Sequence, residues 1–428
     1  MDVEKPPPLS STVGIPPGIP KPDTSMFDAL TGVRAMAAYM VFFVHCNGYN
    51  MLFGKQGSGS FIHNFISEFY TGVTVFFVLS GFLICYRYYD NINLPGKAWI
   101  AKYIQNRIAR LYPVYFAATT LTFAMIILKS SHVNTFGVGA RIVPWGGQGL
   151  SLVHDIKLYL LNITFLRGLF SHFYFTGVGQ GWTLTVEGCF YLSAPLIFYL
   201  SKKIKISAQC IAIFFAGVIG MAIFSNIDWY GFLGNIKFML FYTFFGRCFE
   251  FFVGIKLALM VKNKQYGSNF KYRTTLGMAW ITACLIIMTI ARGRQIASGI
   301  EYLQYVPGLP YAEIAVNNFV LPIGIAIFFL GLITEKTYLS KMLGSSLFVL
   351  LGKSSYSFYL IHVAVINILF NGFSRNTFVI FVIANALAIL VFKTIEQPSN
   401  KYLKRLNMFP APGSSRKPKI TFESNRAF

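Results

Sequence analysis

Arg34 and His45 lie in the first strongly apolar segment of the chain, eleven residues apart. Eleven helical residues complete almost three turns, so the two side chains are expected to share one helix face, roughly 16 Å apart along the axis. Neutral imidazole accepts a proton near neutral pH, so His45 could serve as a general base. An arginine inside an apolar span costs roughly 3 kcal/mol on insertion scales, which indicates a polar cavity, a partner or a ligand beside it. A hydrogen-bonded packing role remains the alternative for His45.

Other ionisable residues are expected at successive depths of the same membrane domain. Glu187 is predicted near the outer end of the fourth span, at a depth where its carboxylate could orient His45 and stabilise the imidazolium. Arg247 and Glu250 stand at i,i+3 spacing near mid-membrane and are expected to pair, either as a structural ion pair or as part of a tunnel wall. His362 is expected midway along the ninth span. Together these groups predict a polar column across the bilayer, as a substrate tunnel would require.

The segment RIARLYP places Arg107 and Arg110 just before the third predicted span. Two guanidinium groups at i,i+3 spacing could hold phosphate groups from the cytoplasmic side. The alternative is that they only fix the orientation of the span, as basic residues at cytoplasmic ends do.

Hydroxyl groups concentrate in the segment LGKSSYSFYLIH at the predicted start of the ninth span. Its polar residues could line the tunnel or form hydrogen bonds between helices; they are Ser355, Tyr356, Tyr359 and His362. Ser80 and Gly81 stand in mid-helix, where small residues favour close helix packing.

The elements that must position these residues are membrane helices. The chain has 428 residues, of which 55% are hydrophobic and 12% charged, whereas soluble domains carry about 25% charged residues. Its apolar runs are continuous, which excludes the alternating pattern of a β-barrel. The sequence therefore predicts an all-α integral membrane protein, a bundle of about ten transmembrane helices. The predicted spans are 28–47, 68–87, 112–128, 182–200, 207–225, 238–261, 274–291, 315–334, 355–372 and 376–394.

The net charge of +22 is mainly explained by topology. With both termini in the cytoplasm, more than twice as many Lys and Arg residues fall on the cytoplasmic side as on the outer side, as the positive-inside rule requires. The part of the positive charge that topology does not explain would attract anionic membrane lipids or a phosphorylated ligand. Nucleic acid is not an expected ligand, because the basic residues are spread over many short loops. The six cysteines show no C-x-x-C spacing, so no metal site is predicted.

The composition divides the chain into three parts. Residues 1–26 are rich in proline and are expected to form a disordered tail. The membrane domain is expected to occupy residues 27–405, and residues 406–428 to form a basic flexible tail.

The Arg34-to-His45 spacing and six later segments together resemble the membrane acyltransferase family 3. In chain order these segments are FFVLSGFLI, RIARLYP, GWTLTVEGCFYL, RCFEFFVGIKLA, GKSSYSFYLIH and IEQPSNKYL. The family opens with a basic residue, ten intervening residues and a histidine. One segment alone would be weak support, but seven elements in the family order over about residues 27–405 make the resemblance specific.

The resemblance implies an acyl-CoA-dependent O-acyltransferase, which moves an acyl group, usually acetyl, to a hydroxyl of a glycan, a lipid-linked sugar or a related acceptor. Carried over by position, His45 would activate the acceptor or relay the acyl group, and Arg34 would contact the donor. Arg107 and Arg110 would hold the phosphates of CoA. Acetyl-CoA or another acyl-CoA would be a co-substrate, with no permanently bound cofactor. A bacterial inner membrane is the family's commonest setting, and this chain resembles the stand-alone form without an appended hydrolase-like domain.

The resemblance also extends to the fourth span, where Trp182 and Glu187 match the W-x-x-x-x-E block and Tyr191 the aromatic residue that follows it. The expected catalytic set is therefore Arg34, His45 and Glu187. A transporter or flippase of a sugar- or acyl-containing substrate is the alternative, because buried charges and a polar tunnel suit that function too. A purely structural membrane protein would leave the intramembrane arginine and histidine unexplained.

Overall fold

The structure is a computed structural model that describes residues 27–45, 60–93, 98–129, 152–227, 229–267, 271–297, 310–362 and 376–406. These residues are mostly helical. Within them, the only β-type pairing is an isolated antiparallel bridge between Phe170 and Phe232.

The helices follow one another along the chain, several of them joined by short 3-10 or π segments. In chain order they are α1 (Asp28–His45), α2 (Phe61–Ser67), α3 (Gly72–Tyr88), α4 (Ala98–Lys129), α5 (Leu152–Ile163), α6 (Trp182–Leu200), α7 (Ile206–Phe224), α8 (Ile236–Tyr242), α9 (Phe244–Lys262), α10 (Arg273–Ala297), α11 (Tyr311–Ala315), α12 (Leu321–Thr334), α13 (Tyr338–Leu343), α14 (Ser346–Ile361), α15 (Thr377–Val391) and α16 (Gln397–Arg405). A 3-10 segment, Glu68–Thr71, joins α2 to α3. The π segments Val316–Val320 and Phe392–Glu396 join α11 to α12 and α15 to α16.

The helical class and the membrane character predicted from the sequence are confirmed. Six helical stretches in the described part of the chain are long and apolar enough to cross a membrane: Phe61–Asn93, Gly179–Leu200, Ile206–Phe224, Arg273–Arg294, Tyr311–Thr334 and Thr377–Arg405. The other four predicted spans overlap helices that are shorter or carry more charge, namely α1, α4, α14 and the α8–α9 pair. The predicted tail at 1–26, and the other tail from residue 407 onward, lie outside the described residues.

Three predicted spans need correction. The third helix begins at Ala98, well before the predicted start, because its first turns are amphipathic and their charges hide them from an apolar-length criterion. The sixth span is broken at Thr243, whose extended backbone (φ −110°, ψ 156°) separates α8 from α9. The ninth helix begins at Ser346 and ends at Ile361, so His362 caps its end and does not lie midway along it. Residues 363–372 of that predicted span lie outside the described part.

Glycines set two close helix approaches, the first between α3 and α9. A Cβ added at Gly81 of α3 would lie 2.1 Å from the carbonyl oxygen of Phe251, and one added at Gly254 of α9 would lie 2.1 Å from that of Val78. The two helices therefore touch backbone to backbone, as small residues permit in membrane bundles. This crossing fixes α3, which forms one wall of the site described below.

We expect Gly254→Val to unfold or loosen the α3–α9 crossing. The new side chain cannot fit against a carbonyl oxygen unless the helices separate, and overpacking of this kind costs about 1–3 kcal/mol or more. Thermal unfolding in detergent should show a clearly lower midpoint. Gly188→Val is the matched control, since a Cβ at that helical glycine meets nothing within 4 Å. Equal midpoints for the two variants would contradict the assigned role of the crossing.

The second close approach joins α1 to α14. A Cβ added at Gly352 would lie 1.8 Å from the carbonyl oxygen of Thr31, and Phe42 and Phe358 pack further along the same pair, with ring centroids 5.6 Å apart. The two helices run parallel, because later residues of α1 meet later residues of α14. This register brings His45, at the end of α1, beside the end of α14.

Candidate active site

Five helices, α1, α3, α4, α6 and α14, surround a cavity of about 840 Å³, measured with its open mouth. Its charged lining consists of four arginines and one glutamate: Arg34, Arg87, Arg107, Arg110 and Glu187. Tyr191 and Tyr356 line it as well. With Ser80 and Tyr359, which also line it, the cavity brings together eight of the residues singled out from the sequence. The excess of arginine over glutamate makes the cavity suitable for a polyanionic ligand.

The cavity is elongated along α3. Its lining on that helix extends from Val73 to Arg87, which corresponds to roughly 21 Å at the helical rise per residue. Arg87 lies at one end of this wall, where the α4 arginines also line the cavity. Phe76 lies near the other end, where Thr183 and Tyr359 complete the lining.

The arginines differ in how they are held. Arg107 is 8% exposed and its guanidinium lies over the rings of Tyr88 and Tyr191, 5.5 and 5.7 Å from their centroids. It also donates a hydrogen bond to the Tyr88 hydroxyl (3.3 Å). Arg34 and Arg110 are half-buried, and neither forms a hydrogen bond or ion pair with any residue that the structure describes. No described residue occupies their donors, which could bind an anionic group in the cavity.

Glu187 has different partners from the one expected. Ser80 Oγ donates a hydrogen bond to its carboxylate at 2.5 Å, and the Tyr191 hydroxyl donates to the same oxygen. Among the described residues, these two hydroxyls and not His45 are its partners. The predicted pairing of Glu187 with His45 is therefore wrong, and Ser80, interpreted as a packing residue, is a hydrogen-bond donor inside the cavity.

His45 pairs with a second histidine. Its Nδ1 lies 3.0 Å from Nε2 of His362, and the two rings meet edge to edge, with their planes 24° apart and their centroids 5.3 Å apart. His362 is completely buried, and its Nδ1 lies 3.1 Å from the carbonyl oxygen of Phe358. His45 itself is half-buried. The histidine pair forms where α1 and α14 end side by side.

One layer of side chains separates this pair from the cavity. Tyr359, one turn before His362 on α14, lines the cavity, and its ring lies 5.9 Å from that of His362. The Tyr359 hydroxyl is 3.1 Å from Thr183 Oγ1, and Phe76 packs on the Tyr359 ring at 5.9 Å. Tyr359 therefore stands between the two parts of the site, with a hydroxyl facing the cavity.

Arg247 and Glu250 pair as predicted, but they do not line the cavity. Arg247 Nε lies 2.9 Å from Glu250 Oε1, and both side chains are fully buried. Arg247 also donates to Thr74 Oγ1 (3.0 Å) and to Asn318 Oδ1 (3.2 Å). Its guanidinium is 5.3 Å from the ring of Phe77, which does line the cavity. The pair supports the cavity wall from behind.

Trp182 and Ser355 also lie outside the cavity lining. Trp182 packs edge-on against Tyr242, with ring centroids 4.7 Å apart. Ser355 donates its hydroxyl hydrogen to the carbonyl oxygen of Gly352 in its own helix (2.8 Å). Both residues contact other helical residues, and neither is part of the cavity lining.

Sequence reasoning missed a second buried charge cluster. Arg292 on α10 pairs with Glu68 (2.7 Å) and with Glu313 (2.5 Å), and the Tyr70 hydroxyl donates to Glu313 at 2.9 Å. The cluster ties α10 and α11 to the segment before α3 and lies outside the cavity. Charged residues next to apolar runs were its only signal in the sequence. Arg87 was missed as a cavity residue because it resembles any basic residue at the cytoplasmic end of a span.

Comparison with known proteins shows which family the chain is similar to. A family profile described as an acyltransferase domain matches residues 27–394. The chain is 28% identical over 181 residues to the acyltransferase MdmB of Streptomyces mycarofaciens (42% of this chain, 41% of that protein). It is 25% identical over 275 residues to the putative peptidoglycan O-acetyltransferase YrhL of Bacillus subtilis (61% and 38%), and 26% identical over 181 residues to nodulation protein 10 of Rhizobium leguminosarum (42% and 45%). Each match covers less than half of the relative's length. No solved structure matches the chain.

Proposed function

Because the chain belongs to the acyltransferase 3 family, we propose that it is an acyl-CoA-dependent O-acyltransferase of the membrane. The acyl group, which we take to be acetyl, passes to a hydroxyl of a glycan or a lipid-linked sugar, as in polysaccharide modification. Two relatives carry acyltransferase or O-acetyltransferase in their names, which supports this class of reaction. Arg34 contacts the donor, and His45 is the general base.

The observation that carries the proposal is the shape and charge of the cavity. CoA carries its phosphates at one end of a long flexible arm and its thioester at the other. The cavity extends roughly 21 Å along α3, with Arg87, Arg107 and Arg110 lining it. Phosphates on these guanidinium groups would direct the thioester toward Tyr359, one helical turn from the histidine pair.

The chemistry then follows from the groups at that end. His45 takes the proton of the acceptor hydroxyl, and the oxygen attacks the thioester carbonyl carbon. The tetrahedral intermediate collapses, the C–S bond breaks, an ester forms, and the CoA thiolate leaves and takes up a proton. Thr183 donates its hydroxyl hydrogen to the carbonyl oxygen of Gln180 (2.9 Å), so the Tyr359 hydroxyl, 3.1 Å from Thr183 Oγ1, is the donor that turns from Thr183 to the developing oxyanion. Tyr359 lies between the cavity and the histidine pair. Its side chain must therefore rotate away, or the acceptor must extend past it, for His45 to reach the hydroxyl that attacks the thioester.

We propose ten membrane spans with both termini in the cytoplasm, in a bacterial inner membrane. This arrangement puts the arginine-lined end of the cavity on the cytoplasmic side, where acyl-CoA is found, and the histidine pair toward the outer side. The positive-inside distribution of Lys and Arg supports it.

Purified protein in lipid nanodiscs, supplied with radiolabelled acetyl-CoA, tests the reaction class. We expect slow release of free CoA, and transfer of label when a lipid-linked sugar acceptor is added. Mass spectrometry of cell-surface glycans with and without the chain identifies the acceptor. A transporter or flippase would neither hydrolyse nor transfer the donor, so the absence of both activities from folded protein would overturn the proposal.

A further inference from the structure

We infer that His362 is a positioning residue that fixes the tautomer of His45 and leaves Nε2 of His45 as the basic nitrogen. The inference rests on the proposed function, since it explains how His45 is prepared to act as a base. It assigns to a neutral histidine the place that a carboxylate occupies in a Ser–His–Asp triad.

The hydrogen bonds allow one assignment of protons when both rings are neutral. The carbonyl oxygen of Phe358 has no hydrogen to donate, so His362 Nδ1, at 3.1 Å, must be the donor. A neutral imidazole carries one N–H, so Nε2 of His362 is then an acceptor. Nδ1 of His45, 3.0 Å from that nitrogen, must therefore be protonated and donate to it. The lone pair of His45 is left on Nε2.

The surroundings support this assignment. His362 is fully buried and cannot exchange its partner for water, while His45 is half-buried at the end of α1. In the part of the chain that the structure describes, no residue forms a hydrogen bond with Nε2 of His45 and no carboxylate pairs with either ring. An acceptor hydroxyl could thus approach Nε2 without displacing a hydrogen bond to any described residue.

A neutral partner also suits this location. A carboxylate buried beside His45 would stabilise the imidazolium more strongly, but burying an additional charge in a membrane domain is costly. His362 supplies a lone pair in the right direction without adding a charge. It therefore positions His45 and favours the imidazolium through one hydrogen bond.

His362→Phe and His362→Gln form the test pair. Phenylalanine keeps the ring that packs against Phe358 and Phe42 but lacks the acceptor, while the glutamine amide oxygen can stand where Nε2 stood. We expect His362→Phe to lower kcat about 100-fold, within the range for loss of general-base assistance. Its KM for acetyl-CoA should be unchanged. His362→Gln should recover most of the loss, to within about 10-fold of the wild-type kcat.

A spectroscopic readout separates positioning from packing. With ¹⁵N-labelled histidine, the wild-type signal of His45, assigned by its loss in His45→Gln, should show a protonated Nδ1 and an unprotonated Nε2. In His362→Phe this preference should weaken. Wild-type kcat in His362→Phe, equal losses in both variants at equal protein abundance, or a protonated Nε2 in the wild type would each overturn the inference. An active His45→Gln enzyme would instead contradict the proposed function, so the two failures are distinguishable.

Discussion

His45→Gln is expected to lower kcat for acyl transfer by about 10²–10⁴-fold, the range that a general base contributes. The base is needed only when the acceptor hydroxyl gives up its proton, so the substitution removes stabilisation of the transition state and not binding of the donor. KM for acetyl-CoA should stay close to the wild-type value, because His45 lies outside the lining of the arginine cavity. Steady-state kinetics in nanodiscs, normalised to folded protein, measures both constants.

His172→Gln is the matched control for this substitution, because it replaces an exposed histidine outside the described site. It should leave kcat and the thermal midpoint unchanged. Acylation at the wild-type rate by His45→Gln would remove His45 from the mechanism. A large rise in KM with constant kcat would also be inconsistent with a base and would point to a binding role.

The sequence predicted the cavity residues better than their partners. Arg34, Arg107, Arg110 and Glu187 are conspicuous because each is a charge in or next to an apolar span, where charge is costly and therefore rare. The structure brings all four to one cavity. Depth alone did not predict their convergence, because Glu187 was expected toward the outer side and Arg107 and Arg110 toward the cytoplasmic side. They meet because the cavity is elongated along α3, from Val73 to Arg87.

Partners could not be predicted in the same way. His45 and His362 are 317 residues apart in the chain, and they meet because α1 and α14 pack in the register set where Gly352 faces Thr31. A helical periodicity defines which face a residue occupies, but not which helix packs on that face. For the same reason Glu187 was paired with His45 on the basis of depth, whereas the packing of α3 on α6 gives it the Ser80 hydroxyl.

The helix boundaries show a related limit. An apolar-length criterion finds the membrane-crossing part of a helix but neither its polar continuation, as in α4, nor a break between two apolar segments, as at Thr243. Both features matter here. The early turns of α4 carry Arg107 and Arg110 into the cavity, and the break at Thr243 places Arg247 in the first turns of α9, where it meets Thr74.

Arg110→Met is expected to raise KM for acetyl-CoA about 10- to 100-fold while leaving kcat nearly unchanged. Hydrogen bonds to a charged group contribute about 1.5–3 kcal/mol, which corresponds to this range. Arg110 has no protein partner among the described residues, so the substitution removes a ligand contact with little cost to the fold. Lys353→Met is the matched control, because it removes an exposed positive charge on α14 that does not line the cavity.

Acetylpantetheine, which carries the same thioester arm as acetyl-CoA without the nucleotide and its phosphates, shows what the guanidinium recognises. If Arg110 binds the phosphates, the wild type and Arg110→Met should use acetylpantetheine equally poorly, since neither can gain from a phosphate contact. A difference between them that persists with this substrate would show that Arg110 acts elsewhere on the donor.

Arg34→Met should also raise KM for acetyl-CoA, because Arg34 lines the same cavity without a hydrogen-bond or ion-pair partner among the described residues. An unchanged KM would remove Arg34 from donor binding and leave the phosphate contacts to α3 and α4.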